Sequence, residues 1–260
     1  MSEQDAVEFM SDWYDERTNA YIEWCFGDID DVVEDLGSRI GIKEGWRVLD
    51  IGCNNGGSSV HFANSFGASV VGVDAARSAI EISQIRAQNN PPKVPVVFHL
   101  VDARDTPFQN AEFDAVVSKD TFVNIVDRPR LIAEICRILK PGGYLSFCDW
   151  MQGKEEPGPT FKSWREFKKE EPFEMLLLGE YEALLKDSGF IVTQAEARIE
   201  EFQQRIKSRF EAFAQADPDE MYRRFGIENH AYFVERFGLT LEVLLAQDVV
   251  WGHVTARKIQ

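Results

Sequence analysis

The stretch that decides the fold is Arg47–Gly57, which reads RVLDIGCNNGG. Its first part, Val48–Ile51, is a short run that is apolar except for Asp50, and such a run is typical of a buried parallel strand. A glycine-rich turn follows, formed by Gly52, Gly56 and Gly57. A helical pattern then covers Ser58–Phe66. Strand, glycine turn and helix in this order bring a nucleotide-like ligand against backbone amides.

The spacing of the glycines narrows the kind of ligand. Three residues separate Gly52 from Gly56, so the turn lacks the G-x-G-x-x-G pattern of dinucleotide sites. No Lys-Ser or Lys-Thr pair follows, which argues against a phosphate-binding P-loop. The acidic Asp50 at the end of the strand disfavours a pyrophosphate and favours a cationic ligand, such as a sulfonium with an amino-acid tail. A purely structural glycine turn in another α/β protein is the alternative.

Composition limits the function classes further. The 260 residues are 44% hydrophobic and carry a formal net charge of -16, which argues against a nucleic-acid or anionic-membrane partner. The four cysteines show no C-x-x-C spacing, and we expect free thiols in a reducing cytoplasm. No apolar run is long enough to cross a membrane. The isolated His230 and His253 give no metal-ligand pattern, so we expect no metal. A cytoplasmic protein with a small-molecule partner is predicted.

Further strands alternate with helical patterns. The second strand, Ser69–Asp74, ends in an acidic residue 24 positions after Asp50, and a carboxylate at such a tip accepts the hydroxyls of a ribose. Three more strands are predicted, at Val94–Leu100, Phe113–Ser118 and Tyr144–Cys148. Strands separated by helices predict an α/β fold with a mostly parallel sheet.

Two motifs together resemble one enzyme family. VLDIGCNNGG at 48–57 resembles motif I of the class I S-adenosylmethionine (SAM)-dependent methyltransferases, and ILKPGGYLSFCD at 138–149 is similar to a later stretch of the same family. The resemblance implies a Rossmann-like, seven-stranded sandwich whose last strand, Val249–Arg257, is antiparallel. It also implies SAM as cofactor and S-adenosylhomocysteine as product.

The resemblance assigns residues to the cofactor. Asp74 is implied to hold the ribose, and Asp102 to accept a hydrogen bond from the adenine amino group beside the backbone amide of Ala103. Asp105 is a weaker competitor for the adenine position. The full predicted set of cofactor-binding residues is Asp50, Gly52, Asn54, Gly56, Asp74, Ala75, Asp102, Ala103 and Lys119.

Tyr14 is singled out by a second, narrower resemblance. The segment from WYDE to Phe26-Gly27 resembles the N-terminal segment of the phosphoethanolamine methyltransferases. In that family this tyrosine covers the methyl donor and the substrate. The resemblance therefore implies that the hydroxyl of Tyr14 orients an amine or stabilises a developing proton. The other aromatic residues of this segment are expected to pack it onto the main domain.

The stretch after the fourth strand, KDTFVN at 119–124, gives the candidate catalytic residues. Phosphoethanolamine and sarcosine/dimethylglycine methyltransferases carry an acidic residue and then a histidine here. Asp120 matches the acidic position, but Asn124 stands where those families have the histidine. Asparagine accepts a hydrogen bond but takes no proton at neutral pH. Either the acceptor arrives unprotonated or it needs no base; alternatively, Asn124 only caps a turn.

The segment after the fifth strand is expected to form the substrate region. Phe167, Glu171 and Phe173 fall where the phosphobase enzymes grip a phosphate, and a carboxylate with two phenyl rings is unsuited to that task. Phosphoethanolamine is therefore disfavoured as substrate. Trp150, Trp164 and Phe167, with Glu171, are instead predicted to line a site for a cationic or neutral acceptor. Packing residues beside a solvated charged face are the alternative.

The chain is predicted to consist of four segments. Residues 1–45 form a helical lid segment, 46–149 the SAM-binding core, 150–178 a cap and 179–260 the completion of the sheet with inserted helices. We predict methyl transfer from SAM to a small molecule, most simply to an amine nitrogen. The alternatives are transfer to sulfur, oxygen or carbon, and a SAM-binding module without turnover.

Overall fold

The fold is described by a computed structural model, which covers residue 12 and residues 30–168, 173–225 and 230–259. Most of the predicted lid segment, including Tyr14, lies outside the described residues, as does Glu171.

Seven strands form one mixed sheet in the order β3-β2-β1-β4-β5-β7-β6. Their bounds are β1 Arg47–Ile51, β2 Ser69–Asp74, β3 Val96–Leu100, β4 Phe113–Lys119, β5 Leu139–Gln152, β6 Phe190–Ala197 and β7 Val249–Lys258. The first five strands pair in parallel, whereas β7 runs antiparallel to both β5 and β6. The predicted Rossmann-like sandwich with an antiparallel last strand is therefore confirmed.

The helices cover both faces of the sheet. Their bounds are α1 Asp30–Ile40, α2 Gly57–Phe66, α3 Arg77–Asn89, α4 Arg128–Ile138, α5 Pro159–Phe167, α6 Leu178–Asp187, α7 Ile199–Gln215, α8 Pro218–Phe225 and α9 His230–Leu245. Because side chains of a strand alternate between the faces, Val48 packs in one core and Leu49 in the other. The first core includes residues of α1, α2, α7 and α9, and the second includes residues of α4 and α6.

Strand β5 differs from its prediction, which had it begin at Tyr144. It begins at Leu139, and its pairing with β4 shifts register between Phe113 and Ala115. Gly142 lies within this stretch at φ 75, in the left-handed region that glycine enters readily. The glycine pair therefore forms an irregularity inside the strand.

The parallel strands place their carboxyl ends along one edge of the sheet. This edge carries the residues that follow β1, β2, β3, β4 and β5, and ligands of open α/β sheets bind there. Across the described part of the chain, no helix combines the length and the apolar character that a membrane crossing requires.

Candidate functional site

The turn after β1 keeps its backbone close to the neighbouring loop. Gly52 and Gly56 have φ 71 and φ 78, and a Cβ on Gly52 would lie 2.1 Å from Oγ1 of Thr121. The amides of Gly52 and Cys53 both donate to the carbonyl of Val73, at 2.8 and 3.0 Å. Glycine is therefore required at position 52 both for the backbone conformation and for space.

Asp50 lies beneath this turn and is 3% exposed. Its Oδ2 accepts the hydroxyls of Ser58 and Ser59, each at 2.6 Å, so the carboxylate is attached to the first turn of α2. Burial raises the pKa of Asp50 to about 6, and the charge of Asp74 adds to the rise while the two serine bonds oppose it. A cation arriving at this carboxylate would favour its ionised form.

Asp74 joins the turns that follow β1 and β2. Its Oδ2 accepts the amide of Asn54 at 3.0 Å, and its Oδ1 accepts the amide of Ala76 at 2.9 Å. Burial raises the pKa of Asp74, and these backbone bonds partly offset the rise. Each carboxylate oxygen has a second lone pair, so Asp74 retains acceptor capacity for a diol.

Asp102 follows β3 and is held by a neighbouring arginine. Arg104 donates to it through its amide and its guanidinium, with Nη2 2.7 Å from Oδ2. Burial acts to raise the pKa of Asp102, but the bonds and charge of Arg104 outweigh it and leave the pKa lowered. Asp105, in contrast, has a side chain that is 82% exposed, 3.8 Å from Arg130. Ala103 is buried beside them.

Asp120 is fixed at the end of β4 by two donors. Its Oδ1 accepts the indole nitrogen of Trp251 at 2.7 Å, and its Oδ2 accepts Nζ of Lys119 at 2.5 Å. The residue has φ 52, a left-handed conformation, and its amide donates to the carbonyl of Cys148. The predicted catalytic carboxylate is thus fixed in orientation, and Lys119 contacts it directly.

Asn124 ends a short 3-10 turn, Phe122–Asn124, in the loop after β4. Its backbone amide donates to the carbonyl of Thr121 at 3.0 Å. Its side-chain Oδ1 is buried and has no hydrogen-bond partner among the described residues, and the same holds for Oδ1 of Asn54. Buried acceptors normally have a partner, so these two oxygens on the loops after β1 and β4 are suited to a ligand.

The predicted substrate residues separate into two places. Trp150 and Trp164 are brought together, with ring centroids 6.4 Å apart and nearly parallel planes. Phe167 stacks instead on Tyr232 of α9 at 5.1 Å. Trp164 is fully buried, and its indole nitrogen donates to Thr240. This placement favours the packing alternative for Trp164.

An aromatic series connects the cap with Asp120. Trp150 packs edge-on against Phe202 at 4.9 Å, and Phe202 stacks on Trp251 at 5.2 Å. The same Trp251 holds the Asp120 carboxylate. Rings of this kind favour cations over their faces, and Nζ of Lys168 already lies 4.0 Å from the ring centroid of Phe173 beside Trp150.

The predicted set of site residues lacks three residues of the site: Trp251, Asp149 and Arg128. Asp149 directly follows Cys148 at the carboxyl end of the predicted fifth strand, and the rule that ligands bind at strand ends pointed to it. Trp251 lies inside β7, and Arg128 begins α4, where an arginine usually faces solvent. No sequence signal distinguishes those two. Within the described ranges, no three His, Cys, Asp or Glu side chains are grouped to hold a metal ion.

Part of the chain is similar to a known protein family. A family model described as a methyltransferase domain matches residues 49–147, which include the end of β1, the glycine turn, Asp74, Asp102 and Asp120. Residues 49–147 therefore carry a methyltransferase domain. The predicted family is therefore confirmed, and with it SAM as the cofactor of that family.

Relatives of this methyltransferase domain include enzymes with different acceptors. Phosphoethanolamine N-methyltransferase 1 of Arabidopsis thaliana is 28% identical over 220 residues, covering 85% of this chain and 44% of the relative. The O-methyltransferase resE of Aspergillus sclerotiorum is 29% identical over 164 residues, covering 63% of this chain and 61% of the relative. The chain thus spans less than half the length of the plant enzyme.

A solved structure shows the same fold. Phosphoethanolamine N-methyltransferase 2 of Haemonchus contortus, in complex with phosphomonomethylethanolamine and S-adenosylhomocysteine, aligns with a TM-score of 0.82 at 26% identity. The alignment covers 92% of this chain and 56% of the nematode chain.

Proposed function

We propose that this chain transfers a methyl group from SAM to a small-molecule acceptor, and that the acceptor atom is an amine nitrogen. The observation that carries the proposal is the fixed carboxylate of Asp120, held by Trp251 and Lys119 at the end of β4. Because β4 pairs with β1, Asp120 lies at the strand end next to the glycine turn and the carboxylates of the methyltransferase domain.

The cofactor side is supported by the chemistry of the strand ends. Asp74 has acceptor capacity for ribose hydroxyls, and Asp102 with the amide of Ala103 is suited to an adenine edge. Asp50 favours a cationic amino-acid tail, which Oδ1 of Asn54, without a partner among the described residues, also suits. Gly52, Gly56, Ala75 and Lys119 complete the predicted set of cofactor-binding residues. When bound, SAM supplies a methyl group that is already activated on a sulfonium sulfur.

The acceptor side is supported by Asp120 and Asn124. Asp120 is an acceptor of fixed direction, which orients a primary or secondary amine through its N–H groups and, for any amine, favours the positive charge that develops on nitrogen. Oδ1 of Asn124 is a second acceptor, and we propose that Tyr14, outside the described residues, covers this site. An amine with a free lone pair needs no base, so the absence of a proton-accepting side chain at position 124 is no obstacle. Alignment of the two reacting atoms in a dry pocket then carries much of the rate enhancement.

Phosphoethanolamine itself is not the acceptor that we propose. Phe167 stacks on Tyr232, and Phe173 packs edge-on against Trp150 and Trp164. Phenyl rings donate no hydrogen bond to a phosphate, and Glu171 adds a repelling charge. The rings near Trp150 instead suit an amine or ammonium group without a phosphate.

A second candidate is transfer to oxygen, and the resemblance to a fungal O-methyltransferase favours it. A hydroxyl acceptor needs a base, and Asn124 takes no proton at neutral pH. Transfer to sulfur or carbon, and a SAM-binding module without turnover, are the remaining alternatives.

One assay separates these candidates. The purified chain is incubated with SAM and separate pools of secondary and tertiary amines, phosphoethanolamine, phenols and thiols, and released S-adenosylhomocysteine is measured. The proposal predicts release with the amines, and a loss of about 100-fold in Asp120→Asn, which removes the charge but keeps the size. Release only with phenols or phosphoethanolamine contradicts the amine assignment. Binding of SAM without release in any pool indicates a module without turnover.

A further inference from the structure

The turn that carries Asn124 is held from two sides by buried side chains of opposite charge. Arg128 and Asp149 are each only 1% exposed. Burying a charge costs free energy unless the charge is hydrogen-bonded. The hydrogen-bond partners of Arg128 and Asp149 therefore show which segments the two side chains hold in place.

Asp149 holds the turn from the side of the sheet. Its Oδ2 accepts the amide of Val123 at 2.9 Å, and its Oδ1 accepts the amide of Trp150 at 2.7 Å. The carboxylate thereby connects the end of β5 to the middle residue of the turn. Burial raises the pKa of Asp149 to about 7, with Asp120 adding to the rise and Arg128 opposing it.

Arg128 holds the same turn through its carbonyls. Its guanidinium donates to the carbonyl of Phe122 and, at 2.8 Å, to that of Ile125. A further bond of 2.8 Å reaches the carbonyl of Glu174, in the chain that enters from the cap. The amide of Glu174 in turn donates to the carbonyl of Val123 at 2.9 Å. One arginine therefore fastens the turn and the cap segment to each other.

The cap segment is also fixed to β5. The amide of Gln152 donates to the carbonyl of Leu176 at 3.0 Å, and Gln152 forms a bridge with Leu177. The segment 173–177 therefore contacts the sheet at Gln152 and the Asn124 turn at Glu174. The segment is thus joined to the turn both through Arg128 and through the bond from Glu174 to Val123.

We propose that Arg128 and Asp149 are positioning residues of the transferase, which hold the Phe122–Asn124 turn so that the Asn124 amide faces the methyl acceptor. Neither residue touches the acceptor. The proposal rests on the proposed function, because it assigns Asn124 to the acceptor. It ties acceptor binding, but not SAM binding, to docking of the segment 173–177 on the turn.

Arg137 provides a matched control on the same helix. Its guanidinium donates to the carbonyls of Phe108 and Thr106, so it also fastens a loop, but it makes no bond to the turn. Replacing either arginine by glutamine removes a charge and several bonds to carbonyls. Only Arg128→Gln releases the turn that carries Asn124.

The test compares Arg128→Gln, Asp149→Asn and Arg137→Gln in the full chain. Three quantities are measured: kcat/KM for the amine that gives the most S-adenosylhomocysteine, Kd for SAM, and hydrogen exchange at individual amides. We expect Arg128→Gln to lower kcat/KM about 30-fold and to change Kd for SAM less than about 3-fold. Exchange at the Val123 and Glu174 amides should accelerate about 10-fold or more, with Leu49 in β1 unchanged. Arg137→Gln should leave all three quantities near wild type.

Several results overturn the proposal. Equal losses in kcat/KM and SAM affinity, or faster exchange at Leu49 in parallel with Val123, indicate general destabilisation. Faster exchange at Val123 with unchanged kinetics shows that the turn does not position the acceptor. If Arg128→Gln does not fold, Asp149→Asn decides by the same criteria, because it keeps the size and one acceptor oxygen. If the wild-type chain turns over no acceptor, the proposed function fails, and the exchange data separately decide whether the two residues hold the turn.

Discussion

The indole nitrogen of Trp251 lies 2.7 Å from Oδ1 of Asp120, and this bond joins the last strand of the sheet to the end of β4. Trp251 is 1% exposed, stacks on Phe202, and contributes a single donor, so the bond has a defined direction. With Lys119 on the other oxygen, Asp120 cannot rotate without losing a bond to a buried or charged donor. The antiparallel strand β7 thus contributes to orienting Asp120, which we propose contacts the acceptor.

Trp251→Phe should reduce methyl transfer more than SAM binding. The substitution keeps an aromatic ring against Phe202 but removes the donor to Asp120, which frees the carboxylate to turn. We expect kcat/KM for the acceptor to fall about 10-fold, with Kd for SAM within about 2-fold of wild type. Steady-state kinetics and calorimetry provide the two numbers.

Trp46→Phe is the control for that substitution. Trp46 precedes β1 at the opposite edge of the sheet and stacks on Tyr144 at 6.0 Å. Its replacement should leave the acceptor kinetics near wild type. Equal effects of the two substitutions would show that Trp251 acts through packing alone.

Asp74→Ala should weaken SAM binding by about 10- to 100-fold. The change removes the proposed acceptor for the ribose hydroxyls, and it also frees the amides of Asn54 and Ala76. Asp105→Ala serves as control, since that exposed carboxylate lies outside the proposed contacts. Unchanged SAM affinity in Asp74→Ala, measured by calorimetry, would remove Asp74 from the cofactor site.

Asn124→His should extend activity to protonated primary amines. A histidine at this position supplies a proton acceptor, whereas asparagine supplies none. We expect turnover of a primary amine at pH 7 to rise about 10-fold or more. Rates across pH 6 to 9 provide the measurement, and identical profiles for variant and wild type would place residue 124 outside the acceptor site.

His253 should make the fold sensitive to acid. The ring is fully buried, and burial first, then the positive charges of Arg198 and Arg39, lowers its pKa to about 4, against the opposing charge of Asp35. Between about pH 6.5 and 4 the unfolded chain binds a proton that the folded chain does not, so stability from this group falls as the pH falls. At pH 5 this group lowers the free energy of unfolding by about 2 kcal/mol relative to pH 7.

His253→Phe tests this expectation, because phenylalanine preserves a ring against Trp251 but does not titrate. Urea unfolding at pH 7 and pH 5 measures the loss for wild type and variant. Between pH 7 and pH 5 the free energy of unfolding should fall by about 2 kcal/mol less in the variant than in wild type. The same loss in both proteins would assign the acid sensitivity to other groups.

The sequence predicted those parts of the site that depend on local order along the chain. The apolar run before Gly52, the acidic residue at the end of β2 and the acidic residue after β4 are each read from a strand and its end. Parallel strands then bring these ends together at one edge, which is a property of the fold class. The beginning of β5 was predicted less well, because the pairing partner β4 decides how far a strand continues through Gly142 and Gly143.

The bonds that orient the site connect residues far apart in the chain. Trp251 and Asp120 are 131 positions apart, and Arg128 reaches the carbonyl of Glu174 across 46 positions. The second of these bonds ends on a backbone carbonyl, for which any residue type serves. Such contacts have no local pattern, and only the assembled sheet and cap reveal them. For the same reason the sequence left open whether Trp164 lines a ligand site or packs, and the structure places it in the core.

Titration of the purified chain with SAM in a calorimeter tests the central claim, that a sulfonium nucleoside binds across the ends of β1, β2 and β3. We predict one bound molecule per chain with Kd between about 1 μM and 1 mM, and weaker binding in Asp74→Ala but not in Asp105→Ala. No heat with the wild-type chain, or equal binding by all three proteins, would contradict the claim.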